Sequence, residues 1–125
     1  MLEPGELVTR IEVPSPPADT RSSYLKFRLR QAIDFPILAV ACSLRLVDGA
    51  ISDPRIVLGA TAPVPVRARD AERFIEGAVL DASTAREAGE IAVGSCLPLG
   101  PNAYKVKIAA ELVRRALAGL VEERD

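Results

Sequence analysis

The chain of 125 residues contains no histidine. This absence excludes serine–histidine and cysteine–histidine nucleophilic systems, together with the commonest catalytic metal ligand sets. Cysteine is scarce. Cys42 and Cys96 are the two present, far apart and each in apolar surroundings, a spacing that fits neither a zinc motif nor a redox pair. Both are expected as buried free thiols in a reducing compartment. No apolar run approaches the ~20 residues that span a bilayer, and the N-terminus is acidic and alternating rather than basic and continuously apolar. A cytoplasmic protein that meets no membrane is expected. Neither sign of charge dominates: 16 basic against 17 acidic residues leave a net of -1, so no global field draws the chain to nucleic acid. Neither G-x-G-x-x-G nor a Walker A pattern occurs, which leaves nucleotide binding by this chain alone unsupported.

What is present is a globular composition, 49% hydrophobic and 26% charged residues, of a length that suits one domain. "GELVTRIEV" alternates and reads as a strand that stops at "PSPPADT", where three prolines remove backbone donors. Residues 1–21 are therefore read as an N-terminal strand and Pro-rich linker, and residues 22–125 as the domain. Within it, residues 24–30 and 37–47 read as paired strands, the second with Val40, Cys42, Leu44 and Leu46 on one side. Asp48-Gly49 is a two-residue hairpin signal, because both residues tolerate the positive φ of a type I′ turn. On the return strand Ile51 falls out of phase with Ile56 and Leu58. A bulge near "SDPR" resets the parity, and Pro54 supports it.

From residue 68 the period becomes helical. Ala71, Phe74, Ile75 and Ala78 mark a short first helix closing near Gly77. A second helix opens at Asp81 to Thr84, where Thr84 and Glu87 have capping-box spacing, with Ala85, Ala88, Ile91, Ala92 and Cys96 as its apolar stripe and Pro98 as its stop. After the "PLGPN" turn, Ile108, Leu112, Val113, Ala116, Leu117, Leu120 and Val121 form the clearest amphipathic pattern, with Glu111, Arg114, Arg115 and Glu122 on the wet side. The carboxylate pairs Asp70 and Glu72, Glu87 and Glu90, and Glu122 and Glu123 all sit at expected helix-surface positions, which argues against acid–base catalysis. Strands first and helices second imply an α+β domain whose antiparallel sheet is covered on one face. Lys26, Arg28 and Arg30 then share the uncovered face, to meet either solvent or an anionic or polar ligand.

Four segments in order, "LEPGELVTRIEVP", "YLKFRLRQAIDFPILAVACSLRL", "DGAISDPRIVLGATAPVPVRARDAERFIEG" and "GPNAYKVKIAAELVRRAL", together resemble one family. They are similar to the end of the FAD-binding medium subunit of molybdenum hydroxylases, the xanthine dehydrogenase and carbon monoxide dehydrogenase family. The resemblance covers nearly the whole chain. It implies a three-stranded antiparallel sheet followed by a three-helix bundle packed on one face. It also implies that FAD is held chiefly by two preceding subdomains, whose glycine-rich loops have no counterpart here, so the isolated chain is expected to bind no FAD and to have no activity alone. The implied partners are those flavin-binding N-terminal domains, a molybdopterin-binding large subunit and an iron-sulfur small subunit.

By the same resemblance, Val8 and Lys26 take the places of an aliphatic residue and a lysine that wall the isoalloxazine. A fixed cation near the flavin N1/C2=O edge stabilises the negative charge that reduction puts there. The last-helix motif reads "NAYKVKI" in place of the commoner Ser-Ala-x-Tyr-Arg form. The function this implies is the C-terminal portion of an electron-transfer flavoprotein subunit. The competing reading is a free-standing non-catalytic assembly or ligand-binding module with the same fold.

Overall fold

The computed structural model describes residues 2–121. Four strands, β1 (Thr20–Phe27), β2 (Leu38–Val47), β3 (Ala50–Gly59) and the two-residue β4 (Val66–Arg67), form one antiparallel sheet in the order β1-β2-β3-β4. The family resemblance implies three strands, and the sheet has four. The fourth follows the prolines at 63 and 65, which lack donors, and begins where donors return: Ala68 N–H donates to the Ile56 carbonyl at 2.9 Å. The β2–β3 turn has Asp48 at φ 51° and Gly49 at φ 82°, as the hairpin signal requires. The expected bulge is also present. Ser43 faces Arg55 while Arg45 faces Ser52, which leaves Asp53 and Pro54 together opposite Leu44. Asp53 takes the left-handed conformation, φ 49°, that the extra residue demands.

The parity reset puts Ile51, Pro54, Ile56 and Leu58 of β3 on the same buried side as Leu38, Val40, Cys42 and Leu44 of β2. Helices α1 (Arg69–Ile75), α2 (Ala82–Ala92) and α3 (Tyr104–Ala118), with a 3-10 turn at Gly100–Asn102, lie over that side. Specifically, α3 packs on β2 and touches β1, α1 packs on β3, and α2 packs against both α1 and α3. Ile75, Val113 and Leu117 are 0–1% exposed, and each such side chain contributes about 1.5–3 kcal/mol by leaving water. Past α1, Gly77 turns at φ 75°, so that its own N–H reaches the Ile51 carbonyl and Ile51 N–H reaches the Ala78 carbonyl. This return ties the helix end back to the start of β3.

Small residues set the α2–α3 distance. Ala85, Ala88, Gly89 and Ala92 are buried against α3, and a Cβ built on Gly89 would stand 2.4 Å from the Ala110 carbonyl oxygen. The two backbones meet there. The cap of α2 differs from the capping-box reading: Asp81, not Thr84, is the N-cap, and its Oδ1 accepts from Thr84 N–H at 2.7 Å. An earlier Asp captures the first free donors and draws Thr84 into the first turn. At the other end, α2 stops at Ala92, before Pro98, so Cys96 is half-buried beyond the helix instead of lying on its core stripe.

Glu72 also departs from its expected surface position. Asp70 is exposed and paired with Arg73, but Glu72 is 7% exposed. Its Oε1 accepts from Ile56 N–H at 2.9 Å and from Arg67 Nε at 3.0 Å, and its Oε2 from Arg67 Nη2 at 2.6 Å. Glu122 and Glu123 lie outside the described residues.

Candidate functional site

Strand β1 has two differently occupied sides. Arg21 Nη1 donates to the Leu120 carbonyl and Ser23 Oγ to the Ala116 carbonyl, both at 2.8 Å, while Leu25 packs on the core. Strand alternation therefore sends Ser22, Tyr24 and Lys26 to the face the helices leave uncovered. Lys26 stands opposite Ala39, which in turn faces Gly59, so its neighbours across the sheet are too small to cover its stem. Two cations toward the opposite end of the sheet have carboxylate partners. Arg45 is held by Asp19 at 2.8–3.0 Å, and Arg55 stands 3.4 Å from Asp53. The Arg45 hydrogen bonds hold the Asp19 carboxyl below the usual carboxylate range. No ion pair engages Lys26 among the described residues.

The expected row of three cations does not form. Strand β1 ends at Phe27, where its carbonyl accepts from Ile37 N–H at 2.8 Å, and the chain then turns toward β2. Arg28 lies beyond the ladder. Arg30 enters a loop closed by Asp34, whose Oδ2 accepts from Arg30 N–H at 2.9 Å and whose Oδ1 lies 3.5 Å from Arg30 Nη2. These bonds, the backbone one foremost, lower the Asp34 pKa. Alternation orders side chains only while the ladder lasts, and the turn removes it two residues after Lys26.

Val8 is 59% exposed, in a stretch that joins no strand among the described residues. The alternation of residues 5–13 lacks a ladder partner here, and an extended segment without one is not a strand. Lys26 is thus anchored in the sheet and Val8 is not, and the sheet does not bring the two together.

A second feature was not legible in the sequence. A cleft of about 400 Å³ opens between the ends of β2 and β3, the stretch after α2 and the start of α3. Its apolar floor includes Leu38, Leu58, Ile91 and Ala109, while Arg69 and Lys105 bring positive charge to it. Asn102 also lines it, and its Oδ1 is buried without a hydrogen-bond partner. "PLGPN" announced a turn, but the orientation of a turn side chain depends on what packs around it. Among the described residues no group of three His, Cys, Asp or Glu side chains could hold a metal ion, and no helix is long and apolar enough to cross a membrane.

Comparison with known proteins places this geometry. The sequence pattern of the CO dehydrogenase flavoprotein C-terminal domain matches residues 22–120. The carbon monoxide dehydrogenase medium chain of Afipia carboxidovorans is 32% identical over 120 residues, covering 93% of this chain and 41% of that protein. The xanthine dehydrogenase FAD-binding subunit of Escherichia coli O157:H7 is 29% identical over 98 residues, covering 78% of this chain and 34% of the subunit. Among solved structures, carbon monoxide dehydrogenase from Hydrogenophaga pseudoflava superposes with a TM-score of 0.79 at 29% identity, covering 87% of this chain and 39% of that one. Quinoline 2-oxidoreductase from Pseudomonas putida 86 gives a TM-score of 0.75 at 25% identity, over 83% of this chain and 37% of that one. The chain spans about two fifths or less of the relatives it matches. An antiparallel sheet with three helices on one face, matched in sequence from the first strand to past the last helix, is the architecture of these relatives' C-terminal region. This chain belongs to the CO dehydrogenase flavoprotein C-terminal domain family.

Proposed function

We propose that the chain is the C-terminal portion of an FAD-binding electron-transfer subunit of a xanthine/CO dehydrogenase-type molybdenum hydroxylase. In that setting it walls the flavin and helps assemble the subunits, and it is not catalytic alone. The observation that carries this reading is Lys26, a cation without an ion-pair partner among the described residues, presented on the open sheet face of a member of this family. Its relatives include a subunit named for binding FAD.

The residues of this chain fit one side of a flavin. The Lys26 ammonium suits the N1/C2=O edge, where reduction places negative charge. The glycine-rich loops that seat the pyrophosphate in the resembled family have no counterpart in this sequence, and the N-terminal donors of α2 are capped by the Asp81 carboxylate. The preceding portion of the longer protein must hold it, and the isolated chain binds no FAD tightly. Joined to that portion, the stretch around Val8 lies along the flavin as an aliphatic cover. FAD, when bound, supplies two-electron chemistry between a metal centre and an acceptor; the chain itself contributes charge and shape. The larger assembly is read as including a molybdopterin-binding large subunit and an iron-sulfur small subunit.

The test is the flavin reduction potential of the assembled flavoprotein. Lys26→Ala lowers it by tens of millivolts, the equivalent of about 1–3 kcal/mol for one charged hydrogen bond in a two-electron couple, and Lys26→Arg restores most of it. An unchanged potential in the alanine variant overturns the role of Lys26.

A second reading, a free-standing ligand-binding module, is favoured by the cleft and its unpartnered Asn102 oxygen. Recovery of the native protein with no flavin-carrying polypeptide attached supports that reading.

A further inference from the structure

The cleft between the sheet ends and α3 holds polar groups that the chain itself leaves unanswered. Of the charged side chains that line it, Arg67 is engaged by Glu72 and Asp70 by Arg73, whereas Arg69 and Lys105 enter no ion pair among the described residues. Two positive charges at the cleft are therefore uncompensated. Lys105 stands in the first turn of α3, which has no acidic residue there and no side-chain cap, so the helix dipole adds to its charge instead of offsetting it. Asn102 supplies a third open group. Its Oδ1 is buried without a hydrogen-bond partner, and a buried acceptor in that state calls for a donor from outside the chain. A water would answer Asn102, but it answers neither the apolar floor of Leu38, Leu58, Ile91 and Ala109 nor the two cations.

We infer that the cleft binds a small organic carboxylate whose apolar body also carries a hydrogen-bond donor. The body covers the floor, the donor meets Asn102 Oδ1, and the carboxylate is held by Arg69 and Lys105, the guanidinium offering the paired N–H groups that match two carboxylate oxygens. A volume of about 400 Å³ lies at the small end of the range of about 300–1,000 Å³ for ligand clefts, which suits a molecule of one ring. The mainly apolar floor and the Asp70 carboxylate at the cleft favour one negative charge over the two of a phosphate monoester. The inference takes up the cleft of the second reading above, and it stands whether the chain is free or joined to a flavin-carrying polypeptide, because each group it uses belongs to this chain.

The experiment titrates the protein as purified, with any attached polypeptide retained, by calorimetry with 3- and 4-hydroxybenzoate, with benzoate, which lacks the donor, and with 4-methylphenol, which lacks the charge. One-to-one binding of at least one hydroxybenzoate in the sub-millimolar range is expected, with benzoate and 4-methylphenol each weaker by about tenfold or more, the equivalent of one hydrogen bond to a charged or buried group. Lys105→Gln should weaken the hydroxybenzoate by at least about tenfold, and Asn102→Ala should bring it down to the level of benzoate while leaving benzoate itself unchanged. Both variants should keep the wild-type unfolding midpoint, since neither residue contributes an ion pair or a side-chain hydrogen bond to the fold among the described residues. Cys96 also lines the cleft, so the saturating hydroxybenzoate should slow its labelling by a thiol reagent several-fold. Absence of binding, or binding that neither variant weakens and that leaves Cys96 labelling unchanged, overturns the inference. Equal affinity for benzoate and both hydroxybenzoates overturns the part given to Asn102. The flavin reading is judged separately by the Lys26 potential and survives each of these failures.

Discussion

Glu72 and Arg67 form a two-pronged ion pair, Nε to Oε1 at 3.0 Å and Nη2 to Oε2 at 2.6 Å, with the carboxylate buried and the guanidinium partly exposed. The same Oε1 accepts from the backbone of Ile56. Strand β4 is only two residues long, so a side chain from α1 supplies the acceptor that the next ladder residue would have provided. The pair thereby joins β3, β4 and α1. Glu72→Ala leaves Ile56 N–H and Arg67 without their acceptor and should destabilise the chain by about 2 kcal/mol, within the range for hydrogen bonds to charged groups. Urea unfolding should show a lower midpoint at unchanged slope. A change under about 0.5 kcal/mol, the size typical of a neutral surface substitution, would remove Glu72 from the framework.

Gly89→Ala tests the α2–α3 contact. On an exposed helix the change would stabilise by up to about 1 kcal/mol. Here the new methyl would meet the Ala110 carbonyl oxygen at 2.4 Å, and the helices must separate. A net loss of about 1–3 kcal/mol is expected, as for other overpacked sites. Unchanged or increased stability in thermal unfolding contradicts the close approach.

The two thiols should react at very different rates. Burial, with a smaller contribution from the Glu72 charge, pushes the Cys42 thiol up to about 12. At pH 8 only about one molecule in ten thousand carries the thiolate there, and the thiolate is the nucleophile. Cys96 is half-buried at the cleft. A disulfide reagent at pH 8 should label one thiol per chain quickly and the second only on unfolding, with peptide mapping placing the fast label on Cys96. Rapid labelling of both in the native state would contradict the burial of Cys42.

Acid sensitivity should include a contribution from α3. Glu111 accepts from Arg114 at 2.7 Å and from Arg115 at 2.8 Å, which holds its pKa at about 2 against an ordinary 4.5. The folded-state value is depressed, so the stabilisation is present above about pH 4.5 and is lost as the pH falls toward 2. The group is 44% exposed, and solvent screening keeps its contribution to about 1 kcal/mol or less. Glu111→Gln should flatten the stability profile between these limits and leave the slope elsewhere unchanged. An identical profile in wild type and variant would assign the acid sensitivity to other carboxylates.

Local signals were sufficient wherever the cause was local. Asp48-Gly49, the phase break at Pro54, and the helical spacing from Ile108 to Leu117 each act through backbone dihedrals or side-chain period over a few residues, and each is found in the structure, although the helix ends at Ala118, before Leu120 and Val121. The order of elements, and hence the α+β class and the uncovered sheet face bearing Lys26, follow from them. What the sequence left open depended on partners distant along the chain. Residues 5–13 alternate like a strand, but a strand exists only when another supplies its ladder, and none does so here among the described residues. Arg28 and Arg30 keep the alternation of Lys26 on paper and lose it where the chain turns. Glu72 occupies a position that local reasoning assigns to water, and it is buried because β4 ends too soon to satisfy Ile56. Asn102 and Cys96 line a cleft that exists only once the ends of β2, β3, α2 and α3 converge. Residue type and period determined which elements form and which side each buries, because those choices are settled within one or two turns of chain. Ladder ends, buried charges and cavities were decided by tertiary packing, because each depends on the distance between groups that the covalent chain alone leaves free.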